Sequence, residues 1–418
     1  MDRLIIKGES DLKGSIRIKG SKNSALPIMV SALLSDNTLT LKNVPKLDDI
    51  KNMSKLLKSY GSIMKSSRDN LEINCKNIIN KDADYDIVRK MRASILILGP
   101  LLARFGEAKI SLPGGCAIGT RPIDIHLEGL KRLGANFKVD SGYIIGKVND
   151  QLIGSHISLP FPSVGATENI MMAATIARGN TIIENAALEP EISDLGNSLN
   201  KMGAKIKIEK NGIIKIIGVK KLNTASHKIM SDRIVAGTFV IAAVMLNKKF
   251  EVKDVESKHL EALTSSLKKM GANLKIKKNA IQIMPYKKLN GIKIKTAPYP
   301  GFPTDLQAQM MALMSLAKGN SEIKENIFEN RFMHVPELNR LGARIRVKKD
   351  IAYITGSRKL NGAQVMASDL RASVSLVLAA LCAEGESVIN RVYHLDRGYE
   401  KIENTLGKLG PSIKREKL

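Results

Sequence analysis

Hydrophobic and polar positions along this chain show two periodicities, one typical of helices and one typical of strands. In the segment 127–133 the apolar residues recur every third position, so they fall on one side of a helix. The segments 204–208 and 343–347 alternate between apolar and charged residues, which predicts strands with one exposed face. The chain is therefore expected to consist of short helices that alternate with strands.

A short signature recurs where a helical pattern gives way to an alternating one: an apolar residue, then glycine, then in most cases a small residue. It appears at intervals of about 70 residues, around Gly61, Gly134, Gly203, Gly271, Gly342 and Gly410. A glycine directly after a helix favours the left-handed conformation that ends it. Six repeats of this length account for all 418 residues.

A second junction of helix, glycine and strand precedes several of these signatures, at Gly179, Gly319 and Gly385. The helices before it, at 166–177 and 372–383, are apolar and rich in small residues, which predicts close packing in an interior. Each repeat thus holds two helices and several strands. The predicted fold class is α+β with two domains, because 418 residues exceed one compact core.

Composition narrows the class of protein further. The three cysteines, Cys75, Cys116 and Cys382, have neither the number nor the spacing of a disulfide framework or a metal site. The apolar run after Met1 is too short for a signal peptide, and no apolar run approaches the ~20 residues that span a bilayer. These features predict a soluble cytoplasmic protein with no metal and no membrane partner.

The net charge of +26 raises the question of a nucleic-acid partner. The lysines are spread over the whole length and are interleaved with carboxylates. Aromatic residues make up only 4% and tryptophan is absent, so the chain offers little on which bases could stack. A basic surface also steers small anionic substrates. We therefore expect small anions as ligands and no nucleic acid.

The segment 112–122 holds three glycines and two prolines, a composition typical of a loop. Cys116 lies at its centre, with Arg121 five residues later and Arg104 twelve residues earlier. Cationic neighbours lower the pKa of a thiol and produce the nucleophilic thiolate. The alternative is a small buried hydrophobic residue, but buried cysteines usually lie on strands and helices. The loop therefore predicts a reactive cysteine.

An ordered set of short motifs along the whole chain resembles the enolpyruvyl transferase family. The motifs are Gly20–Pro27, Met91–Ser94, the Cys116 loop, Ser163–Thr167, Ser231–Arg233, Phe302–Asp305, Glu329–Phe332, Asp369–Ala372 and Asp396–Tyr399. The resemblance implies a two-domain fold of six βαβαββ repeats, three per domain, as an inside-out α/β barrel. It also implies one domain at 1–20 plus 230–418, a second at 21–229, and an active site in the cleft between them.

The resemblance is closest to the members that transfer the enolpyruvyl group of phosphoenolpyruvate to the 3-hydroxyl of UDP-N-acetylglucosamine, releasing phosphate. That reaction is the first committed step of peptidoglycan biosynthesis, on which cell shape and division depend, and it implies no cofactor. Two alternatives remain open: transfer to shikimate 3-phosphate, and non-enzymatic binding of a nucleotide sugar or nucleic acid. The loop cysteine argues against the shikimate branch, which lacks it.

Several cations suit the phosphate and carboxylate of phosphoenolpyruvate. The resemblance assigns this ligand to Lys22, Asn23, Arg121, Arg371 and Arg397. Arg92 and Arg331 are further basic residues within matched motifs. The alternative for such arginines is pairing with Asp or Glu at the surface.

Addition to phosphoenolpyruvate needs an acid and a base. The resemblance implies that Cys116 is the proton donor, forms a covalent adduct with phosphoenolpyruvate and is the target of fosfomycin. It implies that Asp305 is the base, and Asp369 could assist proton transfer. Each aspartate precedes an apolar helix, so the alternative for both is an N-cap.

The resemblance assigns a set of residues to UDP-N-acetylglucosamine, with the uracil and ribose along 121–125 and the diphosphate at 163–165, a segment that precedes an apolar helix whose N–H groups favour phosphate. The assigned residues are Asn23, Arg92, Arg121, Pro122, Ile123, Asp124, Ile125, Ser163, Val164, Gly165, Asp305 and the backbone near Ile327. His126, which follows, suits a structural role and a ligand-facing role equally well.

Three positions depart from the family pattern. Phe161 stands where some members of the family carry a lysine near the diphosphate, and Val235 replaces an acidic residue that is often found after Asp-Arg-Ile. Pro411 follows the last signature glycine and is expected to shorten or bend the closing strand.

Overall fold

The computed structural model describes residues 2–79, 85–89, 91–112, 123–357 and 359–417. The predicted loop with Cys116, Arg121 and Pro122 lies outside these residues. Elsewhere helices and strands alternate along the chain, as the sequence predicts.

The strands, in chain order, are β1 (Asp2–Lys7), β2 (Ser15–Arg17), β3 (Thr38–Lys42), β4 (Ile63–Ser67), β5 (Asn70–Asn74), β6 (Glu107–Ser111), β7 (Ala135–Asp140), β8 (Tyr143–Val148), β9 (His156–Ser158), β10 (Asn180–Glu184), β11 (Lys205–Ile208), β12 (Ile214–Ile217), β13 (Ala225–Lys228), β14 (Phe250–Lys253), β15 (Asn273–Lys277), β16 (Ala280–Met284), β17 (Lys293–Lys295), β18 (Asn320–Lys324), β19 (Arg344–Lys348), β20 (Ile351–Thr355), β21 (Gln364–Met366), β22 (Glu386–Asn390) and β23 (Ile413–Lys417).

The α-helices are α1 (Lys22–Ser31), α2 (Asp48–Ser59), α3 (Tyr85–Val88), α4 (Leu98–Phe105), α5 (Asp124–Arg132), α6 (Val164–Ala174), α7 (Pro190–Lys201), α8 (Arg233–Met245), α9 (Glu261–Met270), α10 (Gln307–Met314), α11 (Val335–Arg340), α12 (Leu370–Cys382) and α13 (Ile402–Gly407). Short 3-10 helices cover Ala32–Leu34, Arg92–Ile97, Ser257–Leu260, Thr304–Leu306 and Val392–Arg397. Among the described residues no helix is long and apolar enough to cross a membrane.

One sheet shows the repeat most clearly. The chain runs β9, α6, β10, α7, β11, β12, and the strands lie in the order β11-β12-β10-β9. β10 pairs in parallel with β9, so that Ile182 faces His156, and antiparallel with β12. A parallel pair needs a crossover helix, and α6 supplies it. This is the predicted βαβαββ repeat.

Within the described ranges the strands form six sheets. Three belong to a compact unit, here unit 1, made of the described residues up to Lys19 and from Ser231 onwards: β21-β22-β1-β23, β15-β16-β14-β2 and β17-β18-β20-β19. The other three belong to unit 2, the described residues from Gly20 to Met230: β11-β12-β10-β9, β13-β3-β5-β4 and β6-β8-β7. The α+β repeat architecture predicted from the glycine spacing is confirmed.

The chain leaves and re-enters unit 1 between two neighbouring strands. β2 pairs in parallel with β14, so that Ile16 faces Val252, although all of unit 2 separates them in sequence. Within unit 1 the amide of Asp232 donates to the carbonyl of Lys19 at 2.9 Å. The chain of unit 2 is therefore inserted, in sequence, between two strands that are neighbours in one sheet of unit 1.

Each unit has helices that are buried along nearly their whole length: α8, α10 and α12 in unit 1, and α1 and α6 in unit 2. The first five residues of α4, in unit 2, are also buried. In unit 1 these helices pack against one another. In unit 2 the contact of α4 with α6 is very close, because a Cβ added to Gly99 would lie 2.4 Å from the Asn169 Oδ1. The prediction that 166–177 and 372–383 form interior helices is confirmed.

The six signature glycines all have positive φ, between 89° at Gly342 and 120° at Gly410, which confirms their predicted role at the ends of helices. Of the two effects expected of Pro411, a shortened closing strand is not observed, and a bend in that strand stays a prediction. β23 has five residues, as β4 and β19 have. Pro411 precedes the ladder, in which Ile413 is the first residue to face β1, so its missing N–H costs no strand hydrogen bond.

Candidate active site

In unit 1 the carboxylate of Asp305 lies between two arginines. Its Oδ1 accepts a hydrogen bond from Arg331 Nη2 at 2.8 Å, and its Oδ2 accepts one from Arg371 Nη2 at 2.9 Å. The two arginine side chains are only 4% and 6% exposed, whereas that of Asp305 is 29% exposed. Two adjacent cations favour the ionised form of a carboxylate. The exposed part of the Asp305 carboxylate can accept a further hydrogen bond.

This arrangement corrects two alternatives drawn from the sequence. Asp305 is not an N-cap, because it lies inside the 3-10 turn Thr304–Leu306, which has no side-chain cap. Its carboxylate turns to the guanidinium groups instead. Arg331 and Arg371 do pair with a carboxylate, but both are buried, so they are not solvated surface pairs.

Arg371 is the second residue of α12, and Asp369 caps that helix. The Asp369 Oδ1 accepts hydrogen bonds from the amides of Arg371 at 2.9 Å and Ala372 at 3.1 Å, so the N-cap interpretation of Asp369 is confirmed. Burial opposes the charge of Arg371, but the negative charges of Asp305 and Asp232 and the hydrogen bond to Asp305 outweigh it and raise the pKa of Arg371 above its ordinary value. The guanidinium therefore remains cationic.

The turn that carries Asp305 is held by a buried carboxylate that sequence reasoning missed. Glu325 follows β18 and is 4% exposed. It accepts hydrogen bonds from the Thr304 hydroxyl at 3.0 Å, the Thr296 hydroxyl at 2.9 Å and the amide of Ile327 at 2.9 Å. A lone glutamate after a strand gives no sequence signal, so only these contacts reveal its role.

His334 is a second buried group, close to Arg331. Burial lowers the pKa of His334 to about 4; the charge of Arg331 reinforces this shift, whereas the charge of Asp369 and a hydrogen bond with the backbone of Arg331 oppose it. Its imidazole is therefore neutral at physiological pH, and within the described part of the chain its Nε2 has no hydrogen-bond partner. The sequence did not single it out.

In unit 2 the predicted cation Lys22 is the first residue of α1. Its Nζ lies 3.0 Å from the Asp49 Oδ2, with the two side chains 11% and 2% exposed. Asp49, on α2, was not predicted, and it fixes the direction of the ammonium group. Asn23 follows on the same helix and is half-buried.

A second helix start in unit 2 carries the predicted residues Ser163, Val164 and Gly165. Ser163 caps α6, and its hydroxyl accepts from the amide of Ala166 at 3.4 Å. All three predicted residues are partly exposed. The neighbouring Phe161, where the family pattern has lysine, is also exposed. The helix start can therefore meet an anion from solvent.

His126 lies directly beneath this helix start and is buried. A Cβ added to Gly165 would lie 3.1 Å from the His126 Cε1, and the His126 Nδ1 is 3.2 Å from the Asn169 Nδ2. Burial, reinforced by Arg92, lowers the pKa of His126 to about 3. Of the two roles left open for His126, these contacts favour the structural one.

The remaining predicted residues lie at other element ends. Ile123 precedes α5, and Asp124 and Ile125 form its first turn, at least partly exposed. Arg397 ends a 3-10 helix and is half-buried. The amide of Val235 donates a hydrogen bond to the carboxylate of Asp232, the N-cap of α8. This backbone contact does not depend on the side chain at position 235.

Arg104, the second cation near Cys116 in the sequence, is bonded to backbone carbonyls of unit 2. Its Nη1 donates to the carbonyls of Leu33, Ser35 and Cys75 at 2.9, 3.1 and 2.9 Å, and it pairs with Asp36. The guanidinium is thus used to join the ends of other elements in unit 2. Cys116 lies outside the described residues, so the predicted effect of Arg104 on its thiol stays a prediction.

Comparison with known proteins agrees with this fold and these motifs. The family model for EPSP synthase (3-phosphoshikimate 1-carboxyvinyltransferase) matches residues 6–406. The UDP-N-acetylglucosamine 1-carboxyvinyltransferase of Paramagnetospirillum magneticum is 51% identical, covering 100% of this chain and 99% of that protein. The enzyme of the same name from Pelagibacter ubique is also 51% identical, over 99% and 100%.

Two solved structures share the fold. The enolpyruvyl transferase NikO from Streptomyces tendae matches with a TM-score of 0.90 and 22% identity over 99% of this chain and 98% of that one. An EPSP synthase from Acinetobacter baumannii matches with a TM-score of 0.78 and 18% identity over the full length of both. The chain belongs to the EPSP synthase family of carboxyvinyl (enolpyruvyl) transferases. Within that family, the curated relatives at about half identity are UDP-N-acetylglucosamine 1-carboxyvinyltransferases.

The ion pairs of Asp305 predict a loss of stability when its charge is removed. Asp305→Asn leaves Arg331 and Arg371 buried without their counter-charge. We expect a fall in the free energy of unfolding of about 2 kcal/mol, less than for a fully buried pair because Asp305 is partly exposed. Asp350→Asn is the matched control, since Asp350 pairs with Lys324 at an exposed site. Equal thermal unfolding midpoints for the two variants would contradict this structural role.

Proposed function

We propose that this protein transfers the enolpyruvyl group of phosphoenolpyruvate to the 3-hydroxyl of UDP-N-acetylglucosamine and releases phosphate, in the cytoplasm, as the first committed step of peptidoglycan synthesis. The identity of 51% to relatives named for this acceptor, over their whole length, supports the choice. The EPSP synthase structure is only 18% identical, so it supports the fold alone. The shikimate acceptor is therefore not favoured.

The reaction passes through one tetrahedral intermediate, and protons are transferred both when it forms and when it breaks down. The methylene carbon of phosphoenolpyruvate gains a proton while the sugar hydroxyl loses one and its oxygen bonds to the adjacent carbon. The resulting tetrahedral adduct then loses a proton from the new methyl group, the carbon–oxygen bond to phosphate breaks, and the enol double bond returns. The site must therefore offer an ionised base, a proton donor and cations for the departing phosphate.

The observation that carries the proposal is the carboxylate of Asp305 between Arg331 and Arg371. The two arginines favour its ionised form, so it is ready to accept a proton near neutral pH, although the same charges reduce its basicity. A carboxylate has about four acceptor sites, so the two arginine bonds do not exhaust its capacity. Asp305 is thus suited to take the proton of the sugar hydroxyl.

The anionic groups of phosphoenolpyruvate require fixed cations. We assign them to Lys22, Arg121, Arg371 and Arg397, with Asn23 as a polar neighbour. The buried pair with Asp49 supports Lys22, because it holds the ammonium in one direction before the ligand arrives. Arg371 would serve both Asp305 and the ligand, since a guanidinium has about five donors.

The UDP-sugar is assigned to the helix starts of unit 2. The amides at Ser163, Val164 and Gly165 suit the diphosphate, and they carry more of its charge because Phe161 offers no cation. Arg92, Arg121, Pro122, Ile123, Asp124, Ile125, Asn23, Asp305 and Ile327 complete the proposed contacts. The amide of Ile327 is bonded to Glu325, so its contact would be through the carbonyl.

Cys116 is proposed as the proton donor and as the residue that forms the covalent adduct with phosphoenolpyruvate. Asp369 is proposed to assist proton transfer. Its carboxylate caps α12, which places it one residue from the start of the helix that carries Arg371.

Phosphate release tests the function directly. We expect inorganic phosphate from phosphoenolpyruvate only when UDP-N-acetylglucosamine is present, because the phosphate leaves after the sugar adds. Shikimate 3-phosphate at the same concentration should give none. Phosphate release with shikimate 3-phosphate would show that the protein uses the acceptor of the shikimate branch instead. No release with either acceptor would contradict the proposed activity.

Fosfomycin tests the proposed cysteine. Burial raises the pKa of Cys75 and of Cys382 to about 12, so neither forms an appreciable thiolate at neutral pH. We therefore expect one fosfomycin adduct, at Cys116, in peptide mapping after incubation with UDP-N-acetylglucosamine. Cys116→Asp keeps an acid without the sulfur, so it should retain some activity, most at low pH, and resist the drug.

A matched control is the Cys75→Ser variant, which should label as the unaltered protein does. Labelling of Cys75 or Cys382, or full fosfomycin sensitivity of Cys116→Asp, would overturn the assignment of Cys116.

A further inference from the structure

Glu325 is a buried carboxylate that takes no chemical part in the proposed reaction. It lies directly after β18 in unit 1 and is 4% exposed. Its amide donates a hydrogen bond to the carbonyl of Asp350 at 2.8 Å. The sheet that contains β18 therefore fixes the point from which the Glu325 side chain extends.

The two oxygens of this carboxylate bond to two different segments of the chain. The Glu325 Oε2 accepts a hydrogen bond from the Thr304 hydroxyl at 3.0 Å. Its Oε1 accepts hydrogen bonds from the amides of Ile327 at 2.9 Å and Phe328 at 3.3 Å. Glu325 thus joins the turn that carries Asp305 to the backbone at Ile327.

Thr296 fixes the direction in which the carboxylate faces. Its buried hydroxyl donates to the Glu325 Oε1 at 2.9 Å and accepts from the amide of Asn326 at 2.9 Å. Because a hydroxyl has one proton, the bond from Asn326 leaves that proton for Glu325. Glu325 then has four donors among the described residues. They match the roughly four acceptor sites of a carboxylate, which fixes its orientation.

Arg331 holds the same turn from another side. Its Nη2 donates to the Asp305 Oδ1 at 2.8 Å and to the carbonyl of Thr304 at 3.4 Å. The Arg331 Cζ lies 5.5 Å from the centre of the Phe328 ring, which is a cation–π distance. The segment 325–331, here called the clamp segment, therefore contacts Thr304 and Asp305 from both of its ends.

The clamp segment is buried at its ends and open in its middle. Glu325 and Arg331 are 4% and 5% exposed, whereas Ile327 and Phe328 are partly exposed. A ligand can therefore reach the middle of the segment while the two ends stay bonded to the turn of Asp305.

We infer that Glu325 is a positioning residue, which sets the distance between the base Asp305 and the backbone at Ile327 that holds the sugar. This inference rests on the proposed function. A general base must lie within hydrogen-bond reach of the hydroxyl that it deprotonates, and small misplacements slow such a reaction strongly. Glu325 does not need to touch substrate, because it acts through Thr304 on one side and through the Ile327 amide on the other.

Breaking one of these two connections should affect one kinetic constant. Thr304→Val removes the hydroxyl beside the base and keeps the shape of the side chain. We expect kcat for phosphate release to fall about ten- to a hundredfold, the usual effect of losing a hydrogen bond to a charged group. KM for UDP-N-acetylglucosamine should change little, because the amide of Ile327 stays bonded to Glu325. Thr304→Ser keeps the hydroxyl and should restore kcat.

Glu325→Leu breaks both connections at once. We expect the same loss of kcat and, in addition, a rise of about tenfold in KM for UDP-N-acetylglucosamine, because the backbone at Ile327 is released as well. Glu325→Gln keeps an oxygen for the amides, so both of its constants should lie between those of Glu325→Leu and the unaltered protein. The double variant Thr304→Val/Glu325→Leu should have the kcat of Glu325→Leu, since both changes break one connection.

Thr264→Val is the matched control. The Thr264 hydroxyl is also buried in unit 1, and it donates to the carbonyl of Glu261 within α9, which carries none of the proposed site residues. This variant should unfold at a lower temperature without a change in kcat or KM. Equal losses of kcat in Thr264→Val and Thr304→Val would show a general effect on folding and contradict the inference.

Hydrogen exchange tests the same geometry without turnover. The amides of Ile327 and Phe328 should exchange faster in Glu325→Leu than in the unaltered protein or in Thr304→Val, since only Glu325→Leu removes their acceptor. If Glu325→Leu fails to fold, the kinetics of Thr304→Val and Thr304→Ser decide the matter.

The outcomes separate the two proposals. If the unaltered protein releases no phosphate with UDP-N-acetylglucosamine, the proposed function fails. The protein could instead turn over while Thr304→Val keeps its kcat, while Thr304→Ser is as slow as Thr304→Val, or while Glu325→Leu leaves the exchange of the two amides unchanged. Any of these three results would show that Glu325 does not position the base, and the proposed function would stand.

Discussion

The two ion pairs of Asp305 are the constraint on which the rest of the candidate site depends. Arg331 and Arg371 are buried, and a buried guanidinium without a counter-charge is strongly destabilising. Asp305 must therefore lie between them whether or not substrate is present. A carboxylate that the fold needs as a counter-ion is held, for the same reason, in the ionised state that a general base requires.

The repeat architecture explains why the candidate residues lie where they do. Each repeat places a buried helix after its first strand, and most candidates cluster at the starts of these helices. Asp305 precedes α10 and Arg371 begins α12 in unit 1, while Lys22 begins α1 and Ser163 caps α6 in unit 2. Helix starts carry partial positive charge and exposed amides, which suits anions such as phosphoenolpyruvate and a nucleotide diphosphate. The repeated packing of buried helices thus produces several helix starts that suit anions.

The sequence was sufficient for features that have a period or a motif. The glycine spacing predicted the repeats, and the left-handed φ of glycines such as Gly342 confirms their place. The sequence does not show which side chains pair with one another in the fold. Asp305 and Arg371 are 66 residues apart, and no pattern shows that their side chains meet, so Asp305 was also interpreted as a helix cap.

In the proposed function Arg331 affects the turnover rate only by holding Asp305 as the ionised base. The most direct test of this central claim is a double-mutant cycle on phosphate release with Arg331→Met and Asp305→Asn. We predict that Asp305→Asn alone slows release about 10²- to 10⁴-fold, that Arg331→Met alone slows it less, and that the double variant is no slower than Asp305→Asn. If the two losses instead multiply, Arg331 acts independently of Asp305 and the account is wrong.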